Sequence, residues 1–250
     1  MKKLSFSILA VSILLLSGCL ETTQEITLNA DGSGTLKNTN DMSALVAMAK
    51  QMGGGEEMEK MAGENIDSVF SLDKGADSIP NLTPEERELA RKGTASIKMN
   101  LKEEKFSSSL LFSFSSPAQI ALYNKISAKI SAETMKEQMG NLPAGAGEAP
   151  EPSSFDDYYT ISFTNGVLTK VLNKEKYATA ADDQYLKGVK EASAMGLSMK
   201  STYIINLPRP AKKTDGKGIV LSDDKKKITV TADIDDFFDD PSKLEYRIEY

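Results

Sequence analysis

The chain of 250 residues has no histidine, no tryptophan and a single cysteine. Without histidine there is no Ser-His-Asp or Cys-His nucleophile, no imidazole base titrating near neutral pH and no histidine-containing zinc site. One cysteine forms neither an intramolecular disulfide nor a thiolate cage for zinc or an iron–sulfur cluster. Stability is therefore expected from a packed core alone. The remaining composition is that of a globular protein of one or two domains, with 40% apolar and 26% charged residues, 30 of them Lys or Arg and 36 Asp or Glu.

The first residues are different. Met1-Lys2-Lys3 is a basic start, and Leu4 to Leu16 follows with no charge and serine as its one polar type. That pairing of a basic and an apolar region is an export signal. As a helix the apolar stretch reaches only about 20 Å, short of the ~30 Å hydrocarbon core, which makes it a poor membrane span. It runs into Leu16-Ser17-Gly18-Cys19, which resembles the lipobox of bacterial lipoproteins. That resemblance implies cleavage between Gly18 and Cys19, a thioether-linked diacylglycerol on Cys19, and acylation, palmitate-like, of the new amino group. Two or three chains at ~0.8 kcal/mol per buried methylene hold a protein durably on a bilayer. Removing the signal leaves 28 basic groups against 36 acidic, a net charge of −8 in place of −6. An acidic body argues against nucleic acid as a partner and against a polybasic grip on anionic headgroups. The expected membrane contact is the lipid itself.

Hydrophobic alternation starts almost at once, with Ile26 and Leu28 on one side, so Leu20 to Gln24 is expected to be a short spacer. Asp31-Gly32-Ser33-Gly34 marks a hairpin turn; it lacks the alternating acids of a calcium loop. Asp41 is positioned to cap a helix over 42–52. A short helix is expected near 66–72. Thr83-Pro84-Glu85-Glu86 is a capping box for a helix over 84–92. A second hairpin has Ile97, Met99 and Leu101 alternating outward and Phe106 to Phe114 returning. Ser116-Pro117-Ala118-Gln119 caps the longest helix, 117–139, whose apolar stripe is Leu122, Tyr123, Ile126 and Ile130. Residues 140–154 are rich in Gly and Pro and read as a flexible linker.

Beyond the linker, Tyr159, Ile161 and Phe163 alternate up to Asn165-Gly166, a strong hairpin signal, and 167–171 returns. A helix near 182–195, a strand 201–207, a hairpin of 218–221 with 228–234, and a strand reaching Tyr250 complete the pattern. The expected fold is α+β, with antiparallel hairpins forming a curved sheet and helices packed on one face. The expected organisation is a signal peptide 1–18, an N-terminal α+β half 19–139, the linker 140–154, and a mainly β half 155–250.

Three residue sets invite chemistry. Thioethers favour Cu(I), and Met42, Met48, Met52, Met58 and Met61 lie close in sequence; the competing reading is core packing, and convergence of Met52, Met58 and Met61 discriminates the two. Asp233, Asp235, Asp236, Asp239 and Asp240 surround Phe237 and Phe238; they suit Ca²⁺ less well than a solvated face with helix caps around inward phenylalanines. Ser127-Ala128-Lys129 and Ser198-Met199-Lys200 have the wrong spacing for a Ser-Lys dyad, and no nucleophile elbow or phosphate loop is present. No catalytic residue, metal ligand or cofactor is therefore expected. Aromatic faces at Phe106, Phe112, Phe114, Tyr159 and Phe163 fit core packing, or a cavity for a hydrophobic ligand beneath the long helix.

The element order, Asp31-Gly32-Ser33-Gly34, and the pattern Tyr203-Ile204-Ile205-Asn206-Leu207-Pro208 with Leu221-Ser222-Asp223-Asp224-Lys225 resemble a group of uncharacterised bacterial lipoproteins. More distantly they resemble the lipoprotein domain family named after mycobacterial LppM. The resemblance covers the two ends of the mature chain, and the C-terminal transmembrane helix of the mycobacterial member has no counterpart here. It implies an envelope protein with a link to lipid recognition and supplies no site residues. The expectation is a non-enzymatic, lipid-anchored binding or assembly module of the bacterial cell envelope. Its partner is an envelope protein or a hydrophobic ligand, with a periplasmic binder of such a ligand or of a soft metal as the alternative. Leu20 after the cysteine points, by analogy with enterobacterial sorting, to the outer membrane facing the periplasm.

Overall fold

The computed structural model describes residues 18–50, 65–139, 153–194 and 197–250. Its strands are β1 (Gly18–Leu28), β2 (Gly34–Asp41), β3 (Ile66–Ser71), β4 (Thr94–Asn100), β5 (Lys105–Phe114), β6 (Tyr159–Thr164), β7 (Val167–Leu172), β8 (Leu197–Asn206), β9 (Lys213–Asp215), β10 (Ile219–Leu221), β11 (Lys227–Asp233) and β12 (Tyr246–Glu249). Between them lie helices α1 (Ser43–Ala49), α2 (Pro84–Ala90), α3 (Ile120–Met139), α4 (Lys174–Tyr177), α5 (Gln184–Ala194) and α6 (Ile234–Asp239). The class is α+β, as the hairpin-and-helix order implies.

Two sheets carry the strands. The larger has the order β10-β11-β8-β1-β2-β5-β4-β3 and the smaller β6-β7-β12-β9. Pairing is antiparallel except between β1 and β8, which run parallel from Gly18↔Leu197 to Thr27↔Asn206. That ladder joins the start of the chain to its last third and makes β1 a central strand. Ile26, Leu36, Phe112, Ile205 and Ile228 form the floor of the core and are essentially inaccessible. Helix α3 packs on the β2–β5 part of this floor with Ile120, Tyr123 and Ile126 buried; Phe112 and Tyr123 stack with ring centroids 4.8 Å apart. Leu168, Tyr246 and Ile248 of the smaller sheet belong to the same hydrophobic cluster, so one continuous core underlies both sheets.

Local signals hold where they are strongest. Thr83 and Glu86 exchange the two capping-box hydrogen bonds at the start of α2, with Pro84 at its first position. Ser116 and Gln119 do the same before a 3₁₀ turn that leads into α3. The Asn165-Gly166 turn joins β6 to β7, with Gly166 at φ 105°. Two expectations are corrected. Residues 66–71 form an edge strand, β3, where a short helix was expected. Leu20 to Gln24 are not a spacer, because β1 is already a paired strand at Gly18 and Cys19. The helix expected over 42–52 is described over Ser43–Ala49, with the Asp41 carboxylate accepting the Ser43 N–H one residue earlier than a standard cap. The Gly/Pro-rich stretch 140–154 lies, up to residue 152, outside the described residues.

Candidate functional site

The residue that the sequence singles out, Cys19, lies in the second position of β1. Its backbone is in register with Ser198 of β8, and two residues later Glu21 pairs with Asp41 of β2. Strands on both sides therefore hold the start of β1 in place. The same end of the larger sheet collects the far end of β2, the β4–β5 turn and the beginnings of β3 and β8, since Asp41 is opposite Ser107, Asn100 opposite Lys105 and Ile66 opposite Met99.

A groove of about 810 Å³ opens at this end between α1 and the β3–β4–β5 strands. Ala44, Ala47, Ile66, Met99 and Phe106 supply its apolar lining, and Asp41, Lys98, Asn100 and Glu103 stand among its polar groups. Helix α1 is fastened to the hairpin across it: the Met42 N–H donates to the Phe106 carbonyl, and the Phe106 N–H donates to the Ser43 hydroxyl. The charges around the opening neutralise one another in exposed pairs, Lys50–Glu104 at 3.2 Å, Lys98–Asp67 at 3.5 Å and Lys105–Glu103 at 2.7 Å. The lining therefore mixes apolar with polar and charged side chains.

The second cluster is inside. Lys170 of β7 is 1% exposed and its ammonium donates to Asp156 Oδ1 at 2.5 Å. The Tyr203 hydroxyl donates to the same oxygen at 3.0 Å, and the Lys170 nitrogen sits 3.9 Å from the Tyr203 ring centroid and 4.8 Å from that of Tyr159. Lys170 belongs to the smaller sheet and Tyr203 to the larger, while Asp156 belongs to the 3₁₀ turn Phe155–Tyr158 that opens β6. The cluster thus ties the two sheets together. Burial pushes the Lys170 ammonium below its ordinary range, and the Asp156 charge pulls it partly back. Burial likewise raises the phenols of Tyr159, Tyr203 and Tyr246. A lysine held by a buried carboxylate and two aromatic faces across three elements reads as a structural pin. The alternation of β7 carried a signal for it: Lys170 shares the inward face with Leu168.

The other candidates are placed as follows. Asp233 is the N-cap of α6 and exchanges hydrogen bonds with Asp236, and Phe237 behind them is fully buried and stacked on Phe155 at 4.8 Å. Asp236 pairs with Lys243, and Asp240 with Lys217 at 3.2 Å. These carboxylates are caps and ion-pair partners, and among the described residues no three His, Cys, Asp or Glu side chains converge as a metal site. Met42 is half-buried; Met52, Met58 and Met61 lie outside the described residues. Ser127 accepts the Asn38 amide at 2.8 Å, and Lys129 binds Glu86 at 2.6 Å. Lys200 stands 3.9 Å from Glu21. Ser127 and Lys129 are thus each engaged with other partners.

No family model matches the sequence, and no curated protein matches it. Among solved structures the chain is similar to the folded domain of the Mycobacterium tuberculosis LppM protein, determined by NMR, with 10% identity and a TM-score of 0.39, over 92% of this chain and 90% of that one. Among the described residues no helix is long and apolar enough to cross a membrane.

Proposed function

We propose that the protein is a lipid-anchored component of the bacterial cell envelope, acylated at Cys19 after cleavage at Gly18, and that it works as a binding or assembly module rather than as an enzyme. The observation that carries this reading is the succession of a basic start, an apolar stretch and Leu16-Ser17-Gly18-Cys19, whose last two residues begin β1. The proposed location is the outer membrane facing the periplasm. Fractionation tests the anchor. Wild type is expected in the membrane pellet after a high-salt wash and in the detergent phase on Triton X-114 partition. Cys19→Ser is expected to stay an uncleaved precursor without the thioether lipid. A wild-type protein recovered as a soluble, unacylated chain refutes the anchor.

A second reading, a binder of a hydrophobic ligand, is favoured by the groove between α1 and the β3–β5 strands. Native mass spectrometry of residues 20–250, produced without the signal, distinguishes the two. A co-purifying lipid lost on Met99→Glu supports ligand binding, and an empty protein that crosslinks to an envelope protein in membranes supports assembly.

A further inference from the structure

We infer that the end of the larger sheet where β1 begins lies directly against the bilayer, so that the groove mouth and the β4–β5 turn face lipid headgroups and the β1–β2 turn points away from the membrane. This rests on the proposed acylation of Cys19. The geometry supplies the rest. A lipoprotein on a long linker samples all orientations, because a flexible chain of n residues spreads its ends by roughly 5–6 Å times the square root of n. Here the linker has no length. Cys19 is itself within the parallel ladder with β8, and by Glu21 the strand is held by β2 as well. An acyl glycerol on Cys19 thus leaves from the middle of an eight-stranded sheet and not from a loose tail.

From Cys19 to Leu28, β1 rises for nine residues, about 30 Å at ~3.3 Å per residue. One end of that length is fixed at the headgroups, and the other carries the Asn29–Ser33 turn, which meets the β6–β7 turn where Gly32 approaches Asn165. At the membrane end Lys50–Glu104, Lys105–Glu103, Lys98–Asp67 and Lys200–Glu21 are mutual pairs of opposite sign, while Asp233, in register with Lys200, opens the acidic helix α6 at the same end, so the described charges supply no attraction to anionic headgroups. The occupant is a lipid surface, and orientation is set by the covalent anchor rather than by charge.

The test uses the full lipidated chain in vesicles of phosphatidylethanolamine and phosphatidylglycerol doped with a nickel-chelating lipid. Because the thiol of Cys19 is consumed by the anchor and no other cysteine exists, Lys102→Cys in the β4–β5 turn and Ala30→Cys in the β1–β2 turn each accept one nitroxide. Both positions are exposed. Relaxation enhancement by the headgroup nickel is expected to be about fivefold or more greater at 102 than at 30, given ends ~30 Å apart. Inserting about six Gly-Ser residues between Cys19 and Leu20 is expected to erase the difference. Equal enhancement at both positions, or a larger effect at 30, in a sample whose acylation is confirmed by mass overturns the orientation and leaves the anchor standing. A difference that survives the insertion overturns the zero-length tether as its cause. Absence of acyl mass on Cys19 overturns the anchor and the orientation together.

Discussion

At the scale of single residues, two buried charges govern how the protein responds to pH and to substitution. Glu86, 3% exposed, sits between helices α2 and α3. Burial pushes its carboxyl up, but hydrogen bonds from Lys129 at 2.6 Å and the Thr83 N–H at 2.9 Å, with Lys125 at 3.3 Å, more than offset this and bring it down to about 2 from 4.5. A carboxylate depressed on folding stabilises above its unfolded pKa and loses that contribution as pH falls through the folded one. Acid destabilisation is therefore expected between about pH 4.5 and 2. Glu86→Gln should flatten that part of a melting-temperature profile, and an unchanged slope in the variant would count against the assignment. Lys170 behaves differently because its partner is enclosed with it. Lys170→Ala leaves Asp156 buried with only the Tyr203 hydroxyl of its two donors and is expected to cost about 3–5 kcal/mol in urea denaturation, whereas Lys170→Met with Asp156→Leu and Tyr203→Phe is expected to restore most of it. If the triple substitution is no better than the single, the three side chains are not a self-contained pin.

At alkaline pH the same neighbourhood sets the limit. Tyr158, Tyr159, Tyr203 and Tyr246 all have phenols raised from 10.0, in each case chiefly by burial. A group raised on folding stabilises fully below its unfolded value and ceases to do so as pH climbs through the folded one. Stability is expected to decline above about pH 10, with tyrosinate absorbance rising together with loss of the circular dichroism signal. Tyrosinate that appears fully before the fold is lost would contradict this.

At the scale of elements, the structure separates what local signals specify from what they do not. Hairpins and caps were legible because their chemistry is contained in a few adjacent residues: Asn165-Gly166 needs only a positive φ, and Thr83 with Glu86 needs only one helical turn. Strand β3 was not legible. Ile66, Val69 and Phe70 have the i, i+3, i+4 spacing of a helix, and as a sheet edge with Val69 72% and Phe70 48% exposed, the strand carries no clean two-residue alternation. The β1–β8 ladder is invisible for another reason. Its partners, such as Cys19 and Ser198, are too far apart in sequence for any turn to announce them. Close approach between elements gives a sharp test. A Cβ on Gly34 would stand 2.0 Å from the Thr27 carbonyl oxygen and 2.6 Å from Phe114 Cζ. Gly34→Ala must then part β1 from β2 or displace a core ring, and a loss of about 2–3 kcal/mol or more is expected by chemical denaturation. A near-neutral result would show that the β1–β2 ladder has slack there.

At the scale of the whole molecule, β1 and β12, the first and last strands of the described residues, are both interior to their sheets. β12 lies between β7 and β9, and Tyr246, Ile248 and Tyr250 are 4%, 0% and 1% exposed. Deleting 245–250 is expected to abolish cooperative unfolding, and a truncated chain that stays soluble and melts in one transition would contradict the shared core. Toward the other end Cys19 lies within β1, and its place there depends on pairing with the distant β8, so the absence of a spacer could not be read from the residues around Leu16-Ser17-Gly18-Cys19. The groove likewise escaped sequence reasoning, since Phe106, Met99 and Ile66 come from three strands and meet only through register.

The most direct test of the central claim is the mass of the N-terminal tryptic peptide of the protein extracted from membranes. Digestion after Lys37 yields Cys19–Lys37. The expected species begins at Cys19 and carries a diacylglyceryl thioether, with or without a third acyl chain on its amino group. An unmodified Cys19–Lys37 peptide, or a mature chain beginning at any other residue, would contradict the account.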